Sequence, residues 1–218
     1  MKLSSDWRSA FSSPSFVTHL SVTVGALVVL AFVIGDFFAY VQSVPGKVLN
    51  DPVLDAIPSE DMSVVIFASI YSGILTALVY LLMHPRSLLH AAEAYVLLTL
   101  MRMATLYLFP LEPDSNMVML NDPLVDRWFY DDQVITKDLF FSGHVSVLVM
   151  LAFVAGNFFL KRGLFVVALI VGLSMLIQHA HYTIDILAAP FFAWTAAWLP
   201  LKFPNFPHPS FLRSSKRV

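Results

Sequence analysis

Long apolar runs alternate with short polar breaks along almost the whole chain. They fall at about Phe16 to Tyr40, Met62 to Met83, Leu88 to Phe109, Ser142 to Leu160, Leu164 to Gln178 and Thr183 to Leu201. An α-helix needs roughly 20 apolar residues to cross about 30 Å of hydrocarbon. The pattern therefore predicts an all-α polytopic membrane protein with six transmembrane helices, the run from Leu164 being the shortest. Pro45, Pro52 and Pro58 mark the first loop, His84, Pro85 and Arg86 the second, and Lys161, Arg162 and Gly163 the fourth. The first run is too long for a signal-peptide core and has no clear small-residue cleavage site, so it reads as an uncleaved span. Internal repeats and low-complexity segments are absent from the sequence. The expected organisation is a cytoplasmic N-terminal segment (1–15), a six-helix membrane domain (16–201) and a basic cytoplasmic tail (202–218).

Composition agrees with a membrane solvent. Hydrophobic residues make up 58% of the 218 positions and charged ones 13%, against about 25% charged in an ordinary soluble domain. With no cysteine, disulfides, thiolate metal sites and a Cys nucleophile are excluded. The net charge of −2 matters less than where the charges sit. If the N-terminus is inside, the inner segments hold nine cations: Lys2, Arg8, Arg86, Lys161, Arg162, Lys202, Arg213, Lys216 and Arg217. The outer segments hold three, Lys47, Arg127 and Lys137. This positive-inside bias puts both termini in the cytoplasm. Acids gather outside: Asp51, Asp55, Glu60, Asp61, Glu112, Asp114, Asp122, Asp126, Asp131, Asp132 and Asp138. The ionisable residues left within or at the ends of spans are Asp36, Glu93, Arg102, His144, His179, His181 and Asp185.

Two short motifs carry the chemistry. In His181-Tyr182-Thr-Ile-Asp185 the imidazole and the carboxylate are spaced i,i+4, so on a helix they share a face and can hydrogen-bond. A carboxylate on one ring nitrogen fixes the tautomer and makes the other nitrogen a better nucleophile or base. The second motif, Asp138-Leu-Phe-Phe-Ser142-Gly143-His144, lies at the outer start of the fourth span. Ser142 fits an N-cap, and Gly143 would let backbone N–H groups approach an anion at the positive end of the helix dipole. Both motifs enter the membrane from the same side, and Arg102 is one or two turns below the outer end of the third span.

Ser142-Gly-His144 and His181-x3-Asp185 resemble the second and third signatures of the type 2 phosphatidic acid phosphatase (PAP2) superfamily. Asp138-x3-Ser142-Gly-His144, His181-Tyr-Thr-Ile-Asp185 and Arg102-Met-Ala-Thr-Leu-Tyr107-Leu-Phe-Pro110 are similar to the sphingomyelin synthase branch, which includes the cholinephosphotransferases that Leu139-Phe-Phe-Ser-Gly-His-Val145 also resembles. The resemblance implies His181 as the nucleophile of a phosphohistidine and Asp185 as its orienting partner. It implies His144 as the group that protonates the leaving diacylglycerol and then deprotonates the acceptor. Arg102, from its charge and depth, is expected to hold the phosphate, with Asp138, Ser142, Gly143 and Tyr182 around the substrate. No metal or other cofactor is implied.

The chain also departs from those patterns. It has no Lys-x6-Arg-Pro signature, reads Ser174-Met175 where the phosphatase branch resembles Ser-Arg, and has Thr136-Lys137 where the synthases have Cys-Gly. Two phosphate-binding cations are thus missing, which suits a singly charged phosphodiester better than a phosphate monoester. The expected reaction moves a phosphocholine or phosphoethanolamine headgroup from a glycerophospholipid to a lipid hydroxyl, diacylglycerol or ceramide-like, on the extracytoplasmic face. A phosphatase or phospholipase C-type hydrolase at the same site, and a non-catalytic lipid transporter, stay open as alternatives. Other readings also stay open: Arg102 packing against Asp36 or snorkelling outward, His179 and His181 with Asp185 as a metal site, and Trp128, Phe129 and Tyr130 as a cage for a cationic headgroup. The partners are lipids and the bilayer, with no nucleic acid and an undetermined oligomeric state.

Overall fold

The computed structural model describes residues 2–120 and 135–209, with side chains from Ser5 onward. Asp122, Asp126, Arg127, Trp128, Phe129, Tyr130, Asp131, Asp132, Arg213, Lys216, Arg217 and the side chain of Lys2 lie outside the described residues. In chain order the helices are α1 (Lys2–Phe11), α2 (Pro14–Ser43), α3 (Pro52–Asp55), α4 (Ser63–Leu82), α5 (Pro85–Leu108), α6 (Gly143–Val154), α7 (Phe158–Ile177) and α8 (Thr183–Trp198). A 3₁₀ turn, Leu199–Lys202, continues α8. The described residues form no strand, only an isolated bridge between Lys47 and Leu111.

Five of these helices (α2, α4, α5, α7 and α8 with its 3₁₀ turn) are long and apolar enough to cross a membrane. The sixth expected span, α6, has 12 residues, about 18 Å of helix against the 30 Å of a hydrocarbon core. This corrects the expected boundaries. The chain leaves the helix at Ala155, and α7 restarts at Phe158 with Asn157 as its N-cap, the side chain accepting from Leu160 N–H at 3.0 Å. Phe158, Phe159, Lys161, Arg162 and Gly163 thus belong to α7 rather than to a span and a loop. The fourth run, not the fifth, is the short one.

A short α6 is tolerated because it does not face lipid. Val145, Ser146, Leu148, Val149, Met150, Leu151, Ala152 and Val154 are all buried, and α4, α5, α7 and α8 pack around it. Non-helical backbone at its two ends is then covered by protein, the condition under which it is tolerated at membrane depth. Close packing here uses small residues, as bundles in lipid do. Ala189, Ala193, Ala196 and Ala197 form the buried face of α8. A Cβ on Gly73 of α4 would stand 2.8 Å from Leu148. By contrast α2 is peripheral, with only Phe16, Thr23 and Val41 buried, and packs on α5.

At one end of the bundle the loops bind one another. Gln178, fully buried, accepts from Met62 N–H at 3.0 Å and donates to Ser63 Oγ at 3.0 Å, Val118 O at 3.3 Å and Met119 O at 3.1 Å. Lys137 joins Glu112 Oε1 and Val44 O at 2.8 and 2.9 Å. Asp51 joins the 44–62 loop to the start of α8. The resulting cap holds the ends of α2, α5 and α7 and the starts of α4, α6 and α8 in one layer.

Candidate active site

Three helix ends meet under this cap. Helix α7 stops in a Schellman turn: His179 N–H donates to Leu176 O and Ala180 N–H to Met175 O, both at 3.0 Å, with His179 at φ 55°. The left-handed residue reverses the chain, and two positions later His181 leads into α8. There Asp185 and Tyr182 form a capping box. Tyr182 N–H donates to Asp185 Oδ2 at 3.0 Å, and Asp185 N–H to Tyr182 O at 3.0 Å.

The same Oδ2 lies 3.2 Å from His181 Nδ1. Both side chains are buried, His181 at 3% and Asp185 at 0% exposure. Asp185 can therefore accept a hydrogen bond from Nδ1–H, the tautomer that leaves the Nε2 lone pair of His181 for attack. The other carboxylate oxygen, Oδ1, is buried with no hydrogen-bond partner among the described residues.

Helix α6 starts beside α8. Ser142 N–H donates to Asp185 O at 3.2 Å, so one backbone hydrogen bond joins the starts of the two motifs. The Ser142 side chain accepts from Val145 N–H at 3.5 Å as the N-cap and reaches Met175 Sδ, at the end of α7, at 3.6 Å. His144, partly buried in the first turn of α6, packs edge-on to Phe67 of α4 at 6.2 Å between ring centroids. His144, His181 and Asp185 thus share one end of the bundle, at the anion-favouring start of a helix.

Arg102 reaches this layer from α5. Its guanidinium donates to Phe141 O and, at 3.2 Å, to Asp138 O, and it pairs with the Asp138 carboxylate. The expected alternative partner, Asp36, stays exposed on α2. Gly143 is what admits the guanidinium, since a Cβ there would stand 2.8 Å from Arg102 Cζ and 2.9 Å from Nη1. In this arrangement Arg102 holds the 138–141 segment and lies against the start of α6. Thr105, one turn on, donates to Phe140 O at 3.0 Å and secures the same segment.

Tyr182 is 1% exposed, and its hydroxyl donates to Glu112 O at 2.8 Å and accepts from Leu49 N–H at 3.2 Å, so it anchors the cap. His179 is directed away from His181: Nδ1 lies 3.1 Å from Asp114 and Nε2 3.2 Å from Ile57 O. Among the described residues no three of His, Cys, Asp and Glu gather as a metal-binding group.

Asp51 and Gln178 are the site's supports that the sequence reading missed. Asp51 Oδ2 accepts from Thr183 N–H at 2.6 Å and Oδ1 from the Thr183 hydroxyl at 3.0 Å. It also caps α3 through Val53 N–H at 3.0 Å. Burial works to raise its pKa, yet the hydrogen bonds from Thr183, Val53 and Leu54 together hold it below the usual carboxylate value. Asp51-Pro52 is itself a helix-start signature, but nothing local to it points to Thr183. Glu112 is also held below its usual value, first by the Lys137 ammonium and then by Gly46 N–H.

Residues 137–200 match a family model described as PAP2 superfamily C-terminal. That stretch runs from Lys137 through α8 and contains both histidine motifs, Asp138 to His144 and His181 to Asp185, while the Arg102–Pro110 segment lies outside it. No curated protein and no solved structure matches the chain.

Proposed function

We propose, from the support that the match over 137–200 gives to PAP2-superfamily membership, that this chain is a membrane lipid phosphotransferase. The superfamily supports a lipid phosphatase- or phosphotransferase-type activity, and the narrower assignment rests on the site's own chemistry. One observation carries it: the Ser142 N–H to Asp185 O hydrogen bond joins the two helix starts that bear His144 and His181.

In the proposed reaction the donor phosphodiester sits at the start of α6, and His181 Nε2 attacks phosphorus. The P–O bond to diacylglycerol breaks as the P–N bond forms, and His144 gives its proton to the departing oxygen. Asp185 holds the proton on His181 Nδ1 and stabilises the ring as it becomes cationic. The acceptor hydroxyl then loses its proton to His144 and attacks the phosphohistidine, which releases His181 and restores the starting state. Among the described residues one guanidinium, Arg102, reaches this layer, and it is already paired with Asp138. That modest cation supply favours a phosphodiester headgroup over a dianionic monoester.

The test is purified protein given phosphatidylcholine or phosphatidylethanolamine labelled in the headgroup phosphate, with and without ceramide or a diacylglycerol of distinct chain length. Transfer produces a labelled lipid of the acceptor's mass, and quenching traps an acid-labile label on His181 that His181→Ala lacks. Label released to water equally with and without acceptor overturns transfer in favour of hydrolysis.

A further inference from the structure

Far from the site, α5 carries an acid that the proposed chemistry does not use. Glu93 is 7% exposed and lies nine residues before Arg102 on the same helix, so the two are about 14 Å apart along the axis. Its Oε1 lies 2.8 Å from His19 Nδ1 and accepts from the Thr23 hydroxyl at 3.4 Å, both residues belonging to α2. Its Oε2 is buried with no hydrogen-bond partner among the described residues. Leaving a buried acceptor unmet costs on the order of 1–3 kcal/mol, more for a charged group, and intramembrane ionisable residues ordinarily mark a function.

Beside Glu93 there is space. A cavity of about 220 Å³ lies between α2 and α5, lined by His19, Val22, Ala26, Glu93, Leu97 and Phe203 among others. Its wall is apolar apart from the Glu93, His19, Thr18 and Thr23 side chains. The C-terminal segment closes one end, with Pro204 O 3.3 Å from His19 Nε2 and Phe206 packed edge-on to His19 and His90. The last torsion of a Glu side chain is broad, so a small rotation of the carboxylate presents Oε2 to this space.

We infer that this groove binds a lipid alcohol, an amphiphile with apolar chains and one free hydroxyl, which donates its hydrogen bond to Glu93. The apolar walls take the chains. The spare carboxylate oxygen accepts the hydroxyl's hydrogen bond, and a neutral hydroxyl costs far less to bring into an apolar groove than an ammonium does. Binding here is independent of turnover at the His181 site, and its test reads occupancy alone.

The protein is reconstituted in phosphatidylglycerol nanodiscs with a diacylglycerol bearing a photoreactive acyl chain, and crosslinked residues are mapped by mass spectrometry. Labelling is expected on the α2 and α5 residues of the groove, Val22, Ala26 and Leu97. Unlabelled diacylglycerol should compete, as should a long-chain fatty alcohol if the hydroxyl is the shared feature. Triacylglycerol, with no hydroxyl, should not. In Glu93→Leu labelling should fall about tenfold, the loss of one hydrogen bond to a charged group. Ala26→Trp fills the groove while leaving both His19 and Glu93 in the sequence, and should abolish labelling even if Glu93→Leu does not fold. Undiminished labelling in Ala26→Trp, equal competition by triacylglycerol, or preferential competition by a long-chain amine would each overturn the inference.

Discussion

A single methyl group at Gly143 tests how the site is held together. The Cβ of Gly143→Ala would collide with the Arg102 guanidinium, 2.8 Å from Cζ, and push it off Phe141 O and Asp138. Overpacking of this kind costs about 1–3 kcal/mol, so the variant should still fold. Its headgroup turnover should nevertheless drop at least tenfold in the lipid assay; full activity would show that the Arg102 position is dispensable. Asp185→Asn asks a different question. Asp185 Oδ2 serves both His181 Nδ1 and Tyr182 N–H, and an amide oxygen that keeps the Tyr182 cap no longer carries the charge that stabilises a cationic His181. General acid–base groups contribute typically 10²–10⁴-fold, and a kcat loss in that range with KM little changed is the expected result. These contacts were legible because they are local: i,i+4 spacing dictates the His181–Asp185 pair, and Ser142-Gly143 reads as a helix start. Asp138 as the partner of Arg102 was not legible, since 36 residues separate them and the sequence offers several outer acids.

For the helices, hydropathy located nearly every apolar element but misplaced one junction. In the run from Ser142 to Leu160 the exit at Ala155 is marked only by the pair Gly156-Asn157. What ends α6 is Asn157 capping the next helix, a signal masked by the apolar residues on both sides. Helix α6 is apolar around nearly its whole circumference because protein, not lipid, surrounds it. The start of α6 is therefore where stability and chemistry meet. Ser142→Ala removes the N-cap oxygen, a loss of typically about 1 kcal/mol, together with the Met175 contact. Melting in detergent should shift down accordingly. The His181 phosphohistidine should form more slowly, because the cap orients the anion-binding end of α6. A variant with lowered melting but an unchanged rate of His181 labelling would assign Ser142 to stability alone.

Across the whole molecule, the cap that aligns the three helix ends depends on pairs remote in sequence, and these were the least legible of all. Asp51 and Thr183 are 132 residues apart, and no period or composition in either segment announces the contact. The consequence is a sensitivity to acid whose direction follows from the Asp51 hydrogen bonds. Burial opposes ionisation, but the donors from Thr183, Val53 and Leu54 outweigh it and hold the folded-state pKa below the usual 3.8. A depressed folded-state pKa contributes stability that is fully present above the unfolded value and is lost as pH falls through the folded one. Glu112, held down from 4.5 by Lys137 and Gly46, acts in the same direction on the neighbouring loop. The contribution of Asp51 and Glu112 to thermal melting of the detergent-solubilised protein should therefore be constant from neutral pH to about pH 5 and decline below about pH 4, where these carboxylates take up protons. Asp51→Asn should melt lower at neutral pH, by an amount corresponding to about 1 kcal/mol for a weakened cap, and should show a shallower acid decline. Coincident acid profiles for the two proteins would mean that the Asp51 link to the His181 helix is not what holds the cap in place.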